Sequence, residues 1–146
     1  MTKRVALAAV FVAVWGTSLP VIIFAIGFLF FEGRTDDVII SAGYRIGPFE
    51  VESACLEHPA VREAAAVASP DEQKGNVVKA FIVLADGFDE SDELADEIKR
   101  FVRGRLSAYA YPRKVEFVDD LPKTLTGKIR RIELRERERE QSGAPS

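Results

Sequence analysis

The amino-acid sequence predicts a small α+β domain: a sheet of about three strands flanked by helices, with a hinge hairpin at one end and one hydrophobic helix in front. Three observations carry the prediction. Two runs rich in β-branched and small apolar residues, Val61–Ala68 and Val77–Leu84, are separated by the polar stretch SPDEQKGN, which makes them paired strands. Apolar residues recur at helical spacing on either side, Val51, Ala54 and Cys55 before the strands and Leu94, Ile98, Phe101 and Val102 after them. Residues 5–31 contain no charge, so nearly all of the 29% charged content falls later in the chain.

Composition narrows the class further. At 146 residues and 47% hydrophobic content the chain supports one domain with a core of its own. A single cysteine, Cys55, excludes an internal disulfide and fits a reducing compartment. A net charge of −3 and a pI near 5.3 argue against a nucleic-acid surface, despite the arginine-rich tail.

The elements follow in order. At ~1.5 Å per residue the uncharged run would extend about 40 Å, more than the ~30 Å of a bilayer core, so a membrane span is its default reading. Lys3 and Arg4 precede it, which favours a cytoplasmic N-terminus. A signal peptide competes, although the run is long for one and Phe28–Phe31 makes a poor cleavage site. A helix that never inserts is the third reading. Next, a Gly-Arg-Thr-Asp-Asp turn at residues 33–37 feeds a strand over Val38–Ser41, which breaks at Ala42-Gly43 before Tyr44 and Arg45. Gly43 offers a position without Cβ, past which a slender ligand or another backbone could run, and Arg45 suits bidentate binding of a phosphate or carboxylate. Pro48 opens a helix over Pro48–Glu57, with Glu50 and Glu52 in its first turn complementing the dipole, and His58-Pro59 ends it.

Beyond the strand pair, Ser91 caps a second helix, with Asp92 and Glu93 in its first turn. Tyr111-Pro112 stops what precedes it, and Lys114–Val118 reads as a short strand. The loop PKTLTGKIRR, Pro122–Arg131, is a polar, mobile turn that delivers Lys128. It is not a nucleotide-binding P-loop, because Pro122 stands where the first glycine would be and Ile129 replaces the metal-binding hydroxyl residue. Arg131–Glu140 is a charged helix on which Glu136, Arg137, Glu138 and Arg139 form a salt-bridged surface. The domain boundaries are 1–31 for the hydrophobic segment, 32–140 for the folded domain and 141–146 for a frayed tail.

Two of these stretches, GRTDDVIISAGYRIGPFEVE and PKTLTGKIRR, carry a family resemblance together with the connecting EHPAVREAAAVASPDEQKGNVVKAFIVL and YPRKVEFVDD. From about Phe28 to Glu140 the chain resembles the small C-terminal domain of AMP-forming acyl-CoA synthetases, of the adenylate-forming superfamily, and is most similar to the medium-chain and acetyl-type members. The resemblance implies a ligase that joins a carboxylate to CoA at the expense of ATP, through an acyl-adenylate, with the C-terminal domain rotating as a lid between the two half-reactions. It implies that Lys128 is the adenylation lysine and contacts ATP, that Arg34 and Arg45 bind ATP, and that Asp36 is the hinge. Ala42, Gly43 and Tyr44 would border the pantetheine path, and Lys74 and Arg103 would hold CoA phosphates. Outside the motif each of these cations reads as a solvated surface charge, and Asp36 as a turn aspartate capping local amides.

The family's large N-terminal domain, with its adenine pocket, acyl pocket and phosphate loop, has no counterpart in the sequence. The resemblance therefore implies a partner: that domain, supplied in cis or in trans, which would also hold most of the magnesium that accompanies ATP. Without it the chain is not expected to activate a carboxylate. A membrane-tethered CoA- or nucleotide-binding or regulatory module is the alternative, and a folded remnant without ligand a third. WGTSLP, inside the apolar run, resembles the first transmembrane helix of drug/metabolite-type transporters, and the abrupt join to FLFFEGRTDD reads as a fusion, a deletion remnant or a gene-model artefact. One span with a cytoplasmic N-terminus would put the domain outside, where ATP and CoA are scarce, so the resemblance implies a cytoplasmic domain, with residues 5–31 as a candidate anchor. His58 and Cys55 make no metal site and read as helix-end and core residues.

Overall fold

The strand pair at the centre is apolar on both sides, and that dictates the architecture. In the computed structural model, which describes residues 35–143, β3 (Val61–Asp71) and β4 (Gly75–Leu84) run antiparallel with Ala66 opposite Ala80. A third strand, β5 (Lys114–Phe117), joins β4 in parallel, from Lys79 opposite Lys114 to Ile82 opposite Phe117. The order is β3-β4-β5. A second, two-stranded sheet pairs β1 (Ile39–Ser41) with β2 (Tyr44–Ile46), after a 3-10 turn at Thr35–Asp37. Three helices complete the domain: α1 (Pro48–Leu56), α2 (Asp92–Arg105) and α3 (Arg131–Ser142).

Alternate side chains of a strand point to opposite faces, so strands covered on both faces read as nearly continuous apolar runs. Ala64, Ala66, Val78, Ala80 and Ile82 join a cluster with Ile39 and Ile46 of the hairpin, Val51, Ala54 and Cys55 of α1, and Ile98 and Val102 of α2. Ala65, Val67, Phe81 and Val83 belong to the opposite cluster, with Leu121 and Leu134 of α3. Full burial of residues such as Phe81, Ile82 and Ile98 stabilises the fold by about 1.5–3 kcal/mol each. The alanines of β3 keep the sheet thin enough for helices on both sides.

The turn between β3 and β4 is tighter than SPDEQKGN suggests. Pairing continues to Asp71 opposite Gly75, so Ser69, Pro70 and Asn76 lie in the ladder. The Asp71 carboxylate accepts from the backbone N–H groups of Gln73 and Lys74 at 3.0 and 2.9 Å, and Gly75 supplies φ +74°. An aspartate-centred turn thus replaces the looser loop.

At the helix ends the sequence reading holds. Ser91 Oγ accepts from Leu94 N–H at 3.1 Å, and Glu50 reaches back to the Gly47 N–H at 3.1 Å. His58 closes α1: its Nδ1 accepts from Ala60 N–H at 3.2 Å, Nε2 faces Glu97 at 3.2 Å, and its ring meets Phe101 edge-on.

Cys55 is fully buried; burial, and then the charge of Glu52, pushes its thiol up to about 12. Only the thiolate reacts. A thiol-specific reagent at pH 8 is therefore expected to leave Cys55 unmodified in the folded chain and to label it on unfolding in urea. Stoichiometric labelling without denaturant would contradict this packing.

The uncharged run 5–31, read above as a candidate membrane anchor, lies outside the described residues. Among those described, no helix is long and apolar enough to cross a membrane.

Candidate functional site

The loop that carries Lys128 is a built hairpin. Arg130 N–H donates to the Pro122 carbonyl at 2.8 Å, and Lys123 pairs with Ile129 across an isolated antiparallel bridge. Inside it, Thr124 N–H donates to the Lys128 carbonyl at 2.8 Å and Gly127 N–H to the Thr124 carbonyl at 2.9 Å. The Thr124 hydroxyl accepts from Lys128 N–H at 3.1 Å and lies 2.9 Å from the Thr126 hydroxyl. Gly127 adopts φ +82°, a torsion that costs other residues about 1–2 kcal/mol. Lys128 is exposed, and Leu125 beside it projects fully into solvent. The turn read as polar and mobile is therefore held by the hydrogen bonds and the bridge just named, with the lysine on its return arm.

Two residues after this hairpin's bridge, α3 begins, and its first turn and a half grips the 3-10 turn at Thr35–Asp37. Arg131 makes a bidentate pair with Glu52, at 2.8 and 2.7 Å, and lies 3.6 Å from Asp37. Arg135 donates to the Asp36 backbone carbonyl and sits 3.3 Å from the Asp37 carboxylate. The hydrogen bonds it donates to Glu52 raise the Arg131 pKa against the opposing effect of burial, so this guanidinium is permanently charged. Here one expectation is corrected. Glu52, read as a first-turn residue complementing the dipole, is only 6% exposed and also accepts from the Ala66 N–H of β3 at 3.0 Å. One carboxylate thus joins α1, the sheet and α3. Asp36 is exposed apart from its carbonyl contact, and Arg34 lies outside the described residues.

A second group of expected residues gathers at the tip of the β1–β2 hairpin. Ala42 (φ +49°) and Gly43 (φ +84°) form its two-residue turn, a pair of left-handed torsions that matches the twist of a hairpin. Nothing lies within 4 Å of where a Gly43 Cβ would be, so the turn torsion, and no neighbouring backbone of the described residues, accounts for glycine here. Ala42 N–H donates to the Lys74 carbonyl at 3.4 Å, which ties this tip to the β3–β4 turn. Tyr44 stacks on Tyr109 with ring centroids 4.2 Å apart and planes 10° from parallel. Arg45 is exposed on β2 opposite Ile40. Arg103 is exposed on α2, its guanidinium 5.4 Å from the centre of the Tyr111 ring. So Ala42, Gly43, Tyr44 and Lys74 come together, Asp36 is joined to the helix that follows Lys128, and Arg103 stands with Tyr111.

Sequence reasoning missed one polar cluster. Glu138, assigned above to a charged surface, is 3% exposed, because α3 lays it against the sheet. It accepts from Ser69 Oγ at 2.6 Å and pairs with Lys79, which also contacts Glu116 at 2.7 Å. Lys114 Nζ completes the group, 2.8 Å from Ser69 Oγ. A signal was present: Lys79 interrupts the apolar strand NVVKAFIVL, and a lysine in a doubly covered strand requires a carboxylate.

The arrangement defines a small α/β domain that presents a lysine on a hairpin braced by one helix, with that helix clamped to a hinge-like turn at the start of the domain. The known proteins it resembles share this part alone. Residues 50–128 match the AMP-binding enzyme C-terminal domain family. Acyl-coenzyme A synthetase ACSM4, mitochondrial, of Rattus norvegicus is 61% identical over 114 residues, 77% of this chain and 20% of that protein. The 4-hydroxybutyrate--CoA ligase 1 of Metallosphaera sedula is 59% identical over 114 residues, again 78% of this chain and 20% of the relative. The crystal structure of Brucella canis acyl-CoA synthetase superposes with a TM-score of 0.72 at 58% identity, covering 75% of this chain and 20% of that one. This chain belongs to the AMP-binding enzyme C-terminal domain family. It spans about one fifth of the length of the relatives it matches.

Proposed function

We propose that the chain is the lid of an AMP-forming acyl-CoA synthetase, acting on ATP, a carboxylate and CoA together with a large adenylate-forming domain. The observation that carries this reading is the continuity from the Lys128 hairpin through α3 to Asp36 and Asp37, which joins an exposed loop lysine to the turn at the start of the domain through one helix. An exposed ammonium on a braced loop is suited to stabilising charge that develops at an attacked phosphate, provided a second surface supplies the substrates. Lys128 is the adenylation lysine in this reading, Asp36 the hinge, and Arg34 and Arg45 contact ATP. Ala42, Gly43 and Tyr44 border the path of the CoA arm, with Lys74 and Arg103 as cations for its phosphates.

Among the described residues no group of three or more His, Cys, Asp or Glu could hold a metal ion. In this reading the magnesium that accompanies ATP is held mainly by the large domain.

The test is complementation. The full chain is mixed with the large domain of a related synthetase truncated before its own hinge, and ATP–pyrophosphate exchange and acyl-CoA formation are measured. Recovery of both well above the large domain alone is the expected result. CoA binding without exchange would favour a binding module over a lid, and neither binding nor exchange would overturn the proposal.

A further inference from the structure

We infer that Tyr109 is a positioning residue for the thioester-forming step, holding the β1–β2 hairpin at a fixed angle to the body of the domain; the inference rests on the lid reading above. Two-stranded hairpins are marginally stable on their own. This one has only three residue pairs, Ile39 with Ile46, Ile40 with Arg45 and Ser41 with Tyr44. One end is secured by Ile39 and Ile46, both buried in the core. Beyond the buried Ser41, the tip, which in the proposed function borders the CoA arm, is held to the body by the Ala42 N–H bond to the Lys74 carbonyl, long at 3.4 Å, and by the Tyr44–Tyr109 stack.

The stack is the better placed of the two. Tyr109 comes from the connection between α2 and β5, 65 residues further along the chain, and stands on a firm pedestal. Ala110 N–H closes a turn onto the Ser107 carbonyl at 2.9 Å, and Ala110 and Pro112 on either side of Tyr111 are buried. The two rings are 51% and 44% exposed, so they contribute little to the core. Two half-exposed tyrosines lying nearly parallel at 4.2 Å have a geometry that fixes direction more than it adds stability. Because the hairpin turn already uses left-handed torsions at Ala42 and Gly43, its backbone is shaped in advance, and what Tyr109 adds is where that shape points.

The test compares Tyr109→Ala and Tyr109→Phe in the full chain by two readouts. The first is amide hydrogen exchange. Tyr109→Ala is expected to speed exchange of the hairpin amides about tenfold, the size of effect one stacked pair supplies, while the β3 and β4 amides stay as in the parent and Tyr109→Phe behaves like tyrosine. The second readout separates half-reactions in the complemented assembly. Tyr109→Ala is expected to lower thioester formation from preformed acyl-adenylate about tenfold and to leave ATP–pyrophosphate exchange within about twofold. Unchanged hairpin exchange overturns the inference whether or not the assembly is active. So does equal loss of both half-reactions, which marks a merely structural role. If the parent chain itself fails to restore exchange, the lid reading falls, and the hydrogen-exchange result still decides whether Tyr109 holds the hairpin.

Discussion

Lys128→Ala is expected to reduce acyl-adenylate formation by the complemented assembly about a hundredfold or more, the loss seen when one preorganised charge-stabilising group is removed from a transition state. Thioester formation from preformed acyl-adenylate is expected to survive largely intact. The asymmetry follows from the geometry. The loop is closed by backbone groups and by the hydroxyls of Thr124 and Thr126, so truncating the Lys128 side chain leaves those bonds in place. ATP–pyrophosphate exchange reports the first step and CoA capture of a supplied adenylate the second. Equal loss of both would remove the role assigned to Lys128. Lys128→Arg is a sharper probe, since it keeps the charge but moves it outward on a broader, planar group, and it is expected to recover only part of the rate.

Lys79→Met is expected to destabilise the domain by about 3–5 kcal/mol, lowering its melting temperature by more than about 10 °C. Methionine keeps the length of the side chain, so packing around Phe81 is conserved while Glu138 is left buried without its ion-pair partner, with Lys114 reaching it only across Ser69. The pH dependence identifies the cause. Burial alone would raise the Glu138 pKa, but hydrogen bonds from Lys79 and Ser69 outweigh it and hold the carboxyl below its usual range. Its contribution is therefore present above about pH 4.3 and lost as pH falls through the lower, folded-state value. Lys79 is the mirror case: burial would lower its pKa, and hydrogen bonds to Glu116 and Glu138 raise it instead. That contribution is present below about pH 10.4 and disappears as pH rises through the folded-state value. In Lys79→Met, Glu138 loses the ion pair that held its carboxyl down, so the gap between variant and parent should narrow on acidification, first through the variant's own raised value and then below about pH 4.3 as the parent's carboxylate is protonated. Urea unfolding followed from pH 3 to 8 checks this, and a gap independent of pH would trace the loss to packing. Replacing Glu138 as well, by leucine, should recover much of the stability at neutral pH.

Much of the fold was legible because its elements announce themselves locally. Ser91 before Asp92 and Glu93, Pro48 at the start of its helix, and the β-branched and small apolar runs Val61–Ala68 and Val77–Leu84 are signals within a few residues. The strand–turn–strand at Ala42-Gly43 and the loop around Gly127 were equally visible, since only certain residues accept left-handed torsions. What stayed hidden depends on partners far along the chain. Glu52 and Glu138 sit among glutamates and arginines that look alike, and only their distant partners, Arg131 for one and Lys79 and Ser69 for the other, single them out. Tyr44 and Tyr109 carry no local mark of their pairing either. The β3–β4 turn was misjudged for a different reason: one aspartate organising two amides does the work that a longer polar loop would suggest.

The grip of Arg131 and Arg135 on the segment around Asp36 and Asp37 also bears on how a rotation would be transmitted. A swivel is usually pictured as a slack joint with cargo trailing behind it. In the proposed lid the pivot is tied to the same helix that carries the cargo: α3 leaves the Lys128 loop, pairs with Glu52 in the core and closes on Asp36 and Asp37 within five residues. A turn at that proposed pivot would then reach the Lys128 loop through α3 and not through a slack connection.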